Sequence, residues 1–263
     1  MSERTSFYEI DARTESLKAA LDALEPARRA QFDSALELSW IYHDNALEGL
    51  VLHYHEMKAG VDPRILSDST LIPSYDDIVY HKAAIDLIRE MAAKRRTQLG
   101  FDLNVIKQIH DTVTVDDDGK QLLYRKENPL HRLYFHEIAP PDKISYKLRK
   151  LAEWAASPEF RKMHPIHRAA SAHLRLISIY PWLKNSGKTS RLLMNLLLMR
   201  DGYLPAIIHA VERQRYYEVL RADLSELTRL VVEAIENSIE SALRFLGLVA
   251  APGGKLAPAP AEK

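Results

Sequence analysis

The 263-residue sequence has no cysteine, so it forms no disulfide framework, carries no thiolate nucleophile or thiolate metal site, and needs no oxidising compartment. Charge of either sign is not in surplus: 36 Lys and Arg balance 36 Asp and Glu. That balance removes the electrostatic footprint of a general nucleic-acid or membrane-surface binder, and no helix-turn-helix or basic arm argues for direct nucleic-acid contact. No stretch reaches the roughly eighteen uninterrupted apolar residues that a membrane span needs. The opening MSERTSFYEIDARTES lacks the apolar core of a secretory signal. A cytoplasmic protein without a membrane partner is the expectation. Aromatic residues are also sparse, at 8%, which speaks against a β-rich core.

Apolar residues are abundant and recur at helical spacing, so the sequence predicts a mainly α protein. After Pro26, Phe32, Leu36 and Trp40 step along one face of residues 27–43. Ile78, Ile85, Ile88 and Ala92 do so from Tyr75 to Arg95. Pro165 suits a first helical turn, and Ala169, Ala170, His173, Leu174 and Ile177 share a side before Pro181 ends the segment. The longest stripe runs from Ser225 to Gly247. Between Val113 and Ile138 the period fails, and Asp116 to Gly119 followed by the alternating run Leu133 to Ile138 predicts a β-hairpin or irregular flap, with a helix resuming near Asp142. Residues 249–263, rich in Ala, Pro and Gly, are expected to be a disordered tail.

The densest chemical segment is Tyr180 to Arg191, YPWLKNSGKTSR, which leads into a helical pattern over Thr189–Arg200. A turn at Asn185, Ser186 and Gly187, with Lys188 and Arg191 one helical turn apart, suits an anion cradle in which free backbone N–H groups and cations meet a phosphate. The same residues equally suit an ordinary polar loop whose Ser186 or Thr189 caps a helix. A Walker A loop is excluded, because Trp182 stands where its first glycine belongs. Neither His53 with His55 nor His164 with His167 fits a zinc signature, and no metal site is expected. His173, on an apolar stripe, reads as a buried, hydrogen-bonded histidine, whereas His131 and His136 fall in the flap.

Taken in order, these residues resemble the Fic (Fido) family. The family signature H-P-F-x-D/E-G-N-G/K-R, continuing T-G-R-L-L-M-N, aligns with Tyr180 to Asn195. HPIHRAASAHLRLISI before it and NLLLMRDGYLPAII after it fit the same pattern, as does RQRYYEVL at 213–220. DNALEGLVL at 44–52 resembles the family's inhibitory helix, S-x-x-x-E-G/N, and YRKENPLHRLYFHEIAPP resembles its target-docking flap. The resemblance implies a Fic-type helical bundle with a small β-hairpin flap. It implies an N-terminal helical region over 1–100 that carries the inhibitory-type helix, and a Fic core over 101–248. Fic enzymes transfer AMP from ATP to a protein hydroxyl. In this sequence the resemblance assigns phosphate or nucleotide binding to Lys184, Asn185, Ser186, Gly187, Lys188 and Arg191, adenine-side positions to Tyr216 and Tyr217, and an inhibitory ion pair with Arg191 to Glu48. Tyr134, Phe135, His136, Glu137 and Ile138 would dock a protein target or partner, and a homodimer is credible.

The motif is degenerate. Tyr180 replaces the catalytic histidine, and an unperturbed tyrosine, with a pKa of about 10, is a poor base at neutral pH. Lys184 replaces the carboxylate that holds Mg2+, and an ammonium cannot ligate that ion, so Mg2+ is not expected. Asn185 and Ser186 replace the motif glycine and asparagine, Lys188 replaces an arginine, and Asp44 stands where the inhibitory pattern has Ser or Thr. The expectation is a pseudoenzyme that binds ATP, another nucleotide or a phosphate ligand, or a protein partner, in a regulatory role. The alternative is an active adenylyltransferase, or a transferase of another phosphate group, with Tyr180 in the histidine's place.

Overall fold

The apolar stripes close around one helix that is buried on all sides. The computed structural model describes residues 3–62, 64, 74–94, 99–114, 123–129, 136–250 and 255–259. Eleven α-helices fall among the described residues: α1 Glu3–Asp22, α2 Pro26–Leu47, α3 Tyr54–Val61, α4 Tyr75–Lys94, α5 Leu103–Val113, α6 Ile144–Ala155, α7 Pro158–Lys162, α8 Pro165–Ile179, α9 Ser186–Arg200, α10 Arg213–Val219 and α11 Leu224–Leu246. Every residue of α9 from Ser186 to Leu198 is buried. A helix without a solvent face must be wrapped by others, and α8, α4 and α5 pack directly on it. The stripe of α11, with Leu227, Leu230, Val231, Ile235 and Ile239 buried, packs on α8 and α1. Helices from both sides of residue 100 share this core.

Local chemistry fixes the boundaries. Pro26 and Pro165 start α2 and α8, where a missing N–H costs nothing. Asp223 and Asp102 cap α11 and α5 by accepting from backbone N–H groups. Gly49, at φ +92, lets the chain turn out of α2 just past Glu48.

No described residue between Thr114 and Ile138 forms a strand. The rest of the expected flap, including His131, Tyr134 and Phe135, lies outside the described residues. Among the described residues two strands fall almost wholly in the segment expected to be structureless: β1 Leu248–Ala250 pairs antiparallel with β2 Leu256–Pro258, with Val249 opposite Ala257. Leu248 and Leu256 pack on the core. That apolar anchorage is what a composition of Ala, Pro and Gly did not disclose.

Candidate functional site

Six residues, Tyr180 to Asn185, join α8 to α9, and both ends of this loop are left-handed: Tyr180 at φ 49 and Asn185 at φ 58. Asparagine tolerates that conformation, but a bulky tyrosine pays about 1–2 kcal/mol for it, so the surroundings must hold it. They do. Arg125, 4% exposed, donates its backbone N–H to the Pro181 carbonyl at 2.9 Å and its Nε–H to the Tyr180 carbonyl at 2.7 Å. It also donates to Asn128 Oδ1 at 2.8 Å and to the Ala139 carbonyl. From the other side, His110 stacks on Trp182 with ring centroids 3.7 Å apart and places Nε2 3.3 Å from the Lys184 carbonyl. Asn185 Nδ2 donates to Thr114 Oγ1 at 2.9 Å and to the Val113 carbonyl at 3.1 Å. Arg125→Ala is expected to cost about 2 kcal/mol by leaving several buried carbonyls unpaired, read as a lower urea midpoint.

The loop delivers the N-terminus of α9. Thr189 is the first residue of the helix to donate backward, to Asn185, so the N–H groups before it have no intrahelical acceptor. Ser186 does not cap in the expected way, because its Oγ accepts from Trp182 N–H at 2.9 Å and donates to the Trp182 carbonyl at 2.7 Å. At this end of the helix lies Glu48. A Cβ on Gly187 would collide with Glu48 Oε1, so only glycine lets this carboxylate approach so closely. The same Oε1 accepts from Arg191 Nη2 at 2.7 Å.

Arg191, 2% exposed, is held by two carboxylates. Its Nε–H donates to Asp44 Oδ1, and its Nη1 donates to Tyr216 Oη at 3.4 Å. Burial disfavours its charge, but Asp44 and Glu48 hold it firmly protonated. Burial likewise works against the Asp44 carboxylate, and the guanidinium of Arg191, helped by His81, overrides it and lowers this group to about 2. His81 is fully buried and faces Asp44 Oδ2 with Nε2 at 3.1 Å, while Asn45 Nδ2 donates to its Nδ1 at 3.2 Å. Beyond Arg191, Tyr216 Oη lies 3.1 Å from His173 Nε2, and burial raises the phenol to about 12. Since Tyr216 Oη receives an N–H from Arg191, its own proton points to a neutral His173, whose pKa burial and Arg191 lower to about 3.

The structure therefore gathers Glu48, Gly187, Arg191 and Tyr216, with Asn185 and Ser186 shaping the turn. Tyr217 sits one step behind, donating its hydroxyl to the Leu47 carbonyl at 3.0 Å, where Arg213 Nε also donates at 2.9 Å. These two residues of α10 fix the end of α2 and so aim Glu48. Lys188 is buried and turned toward Asp77 of α4, with Nζ 3.5 Å from Oδ1, and Lys184 is exposed. Tyr180 is half-buried against the core, its ring 6.3 Å from that of His136. His136 itself is buried, with Nε2 3.3 Å from the Ile177 carbonyl, whereas Glu137 is exposed and Ile138 half-buried. Sequence reasoning missed His81, Arg125, His110 and Asp77.

Residues 100–198 match the model of the Fic/DOC family. The protein named "Protein adenylyltransferase Fic" of Drosophila virilis is 26% identical over 235 residues, covering 88% of this chain and 47% of that protein. The chain thus spans about half the length of the curated relatives it matches. Among solved structures, Fic-1 from C. elegans aligns with a TM-score of 0.74 at 21% identity, over 92% of this chain and 73% of that one. A Fic domain containing signaling protein from Bacteroides thetaiotaomicron aligns at 0.70 and 21%, over 89% and 96%. No helix among the described residues is long and apolar enough to cross a membrane.

Proposed function

We propose that the protein is a degenerate Fic-domain protein, impaired in AMP transfer, whose phosphate cradle at the start of α9 is closed by Glu48 and which serves a regulatory role. The observation that carries this reading is the carboxylate of Glu48 lodged between Gly187 and Arg191, because it puts an anion where the helix N-terminus and the guanidinium would otherwise receive a phosphate. An anion fits there, and the guest in our reading is ATP or another nucleotide. A divalent ion does not fit. The position that would supply its carboxylate is the exposed ammonium of Lys184, so no step through Mg2+ is derived.

Transfer chemistry needs a base at the hydroxyl acceptor, and residue 180 offers only a phenol. His173 is no substitute, since it is fully buried and bonded to Tyr216. The described part of the flap, His136 to Ile138, is the partner-facing element in this reading. The residue after it, Ala139, donates its N–H to the Ser178 carbonyl at 2.9 Å.

Calorimetric titration of ATP, with and without Mg2+, into the full chain and a Glu48→Gly variant tests the reading. The expected result is Mg2+-independent binding that is at least about tenfold tighter in the variant. No heat and no thermal stabilisation at millimolar ATP would overturn it. The relatives' name favours a second reading, active adenylyl transfer with Tyr180 in the histidine's place. Label transferred from α-phosphate-labelled ATP to protein by Glu48→Gly, and lost in Glu48→Gly/Tyr180→Phe, would establish that one instead.

A further inference from the structure

A cavity of about 380 Å3 lies between α1, α2 and the far end of α9. It is remote from the motif loop, because α9 rises about 18 Å between Gly187 and the cavity wall at Met199. Its volume is in the range of small-molecule sites, roughly 300–1,000 Å3. One wall is a single face of α1, where Thr14, Leu17, Lys18 and Leu21 follow the i, i+3, i+4, i+7 spacing. The opposite wall is the stripe of Phe32, Leu36 and Trp40 on α2.

Two polar groups lining this cavity have no partner among the described residues. Thr14 is 6% exposed and its hydroxyl makes no hydrogen bond. One turn on, half-buried Lys18 makes no ion pair, and its Nζ lies beside Gly202. The other charges at the rim are already engaged. Arg29 chelates Asp33 with Nε 3.0 and 3.1 Å from its two oxygens and reaches Asp22 at 3.6 Å, and Arg89 donates to Glu37 at 2.6 Å. A buried hydroxyl without a partner is costly, and a lone ammonium beside it asks for a single negative charge.

We infer that this cavity binds a small amphipathic anion, a medium-chain aliphatic carboxylate, with its head between Thr14 Oγ1 and Lys18 Nζ and its tail along Leu17, Phe32 and Trp40. Trp40, 1% exposed, supplies an optical reporter on the tail, against Trp154 and Trp182 elsewhere in the chain. Decanoate, kept below its micelle-forming concentration, is titrated into the full chain, with 1-decanol and decyltrimethylammonium as uncharged and cationic probes. Saturable change in Trp emission and a raised melting temperature are expected with decanoate, the emission change alone disappearing in Trp40→Phe. Lys18→Met should weaken decanoate about tenfold and leave decanol within about twofold, and Thr14→Val should weaken both. Circular dichroism confirms that each variant keeps its helix content. Absence of saturable binding and of any thermal shift overturns the assignment, as does decanoate affinity unchanged by Lys18→Met, or decyltrimethylammonium binding as tightly as decanoate.

Discussion

Arg191→Ala is expected to lower folding stability by about 3–5 kcal/mol. The residue is 2% exposed and its partner Asp44 is 5% exposed, so truncation strands a carboxylate that water does not reach. Asp44, lowered to about 2 by Arg191 and His81, would keep its burial cost and lose its main support. Glu48→Gln should cost less than about 1 kcal/mol, because that side chain is 32% exposed and the polar amide can still face Arg191. The pairing is non-additive by construction: Asp44→Leu with Arg191→Met should be more stable than Arg191→Ala alone, since removing both charges removes the orphan. Urea unfolding of the three variants measures this. A cost under about 1 kcal/mol for Arg191→Ala would mean the guanidinium does not support Asp44. The consequence for function is direct. An Arg191 variant confounds ligand loss with unfolding, so exposed Lys184 is the cleaner position at which to test phosphate attraction. Removing Glu48 frees the helix N-terminus but leaves Arg191 tied to Asp44 through Nε and the Asp44 carbonyl. The geometry thus has two tethers on one arginine, and only the partly exposed one is placed to be displaced by an incoming anion.

How much of this was legible beforehand depended on whether a feature was periodic or merely proximal. The stripes that define α2, α4, α8 and α11 are written in 3.6-residue spacing and agree with the structure to within a few residues. The cluster of Glu48, Gly187 and Arg191 was reachable only through family resemblance, since 143 positions separate the two ends of the ion pair. Lys188, one turn before Arg191, reads as a partner in the cradle, and its ammonium lies 3.5 Å from Asp77 of α4, a neighbour that spacing does not reveal. Ser186 reads as a cap, but the tight turn brings the Trp182 backbone within reach first. Arg125 and His110 act on carbonyls 55 and 74 residues away, and nothing local marks a side chain that serves as a clamp. The ribbon β1–β2 is similarly invisible, because its strands are three residues each and gain their place by packing Leu248 and Leu256.

The same core makes the protein acid-sensitive well above the carboxylate range. His173 and His81 are both fully buried, and burial disfavours their protonated forms; Arg191 helps bring His173 down to about 3, while Asp44 works against burial at His81. In the unfolded chain each takes a proton near 6.5. Between those values for His173 the unfolded state binds more protons, so its contribution is complete above about 6.5 and falls as pH drops, by about 1.4 kcal/mol per pH unit, with His81 acting in the same direction. At pH 5 His173 alone is expected to cost about 2 kcal/mol. His43, lowered to about 4 by burial and by His209, and His110, lowered by burial, act in the same direction. Asp44, lowered from 3.8 to about 2, adds its share only below about pH 4. Glu236, raised by burial, opposes the trend just above its ordinary range and is outnumbered. Urea midpoints measured from pH 7.5 to pH 5 check the slope, and a midpoint that does not move would sink the assignment of these histidines as neutral. His173→Gln, which keeps an acceptor for the Tyr216 hydroxyl, should flatten the profile by the amount of one histidine. Because Arg191 is the cation that disfavours a proton on His173, a proton forced there repels the guanidinium that Glu48 holds. Acid should therefore loosen the start of α9 before it melts the stripes of α8 and α11. Hydrogen exchange at pH 5, read at Thr189, whose N–H donates to the Asn185 carbonyl, against Ile177 and Ile235, would order those two events.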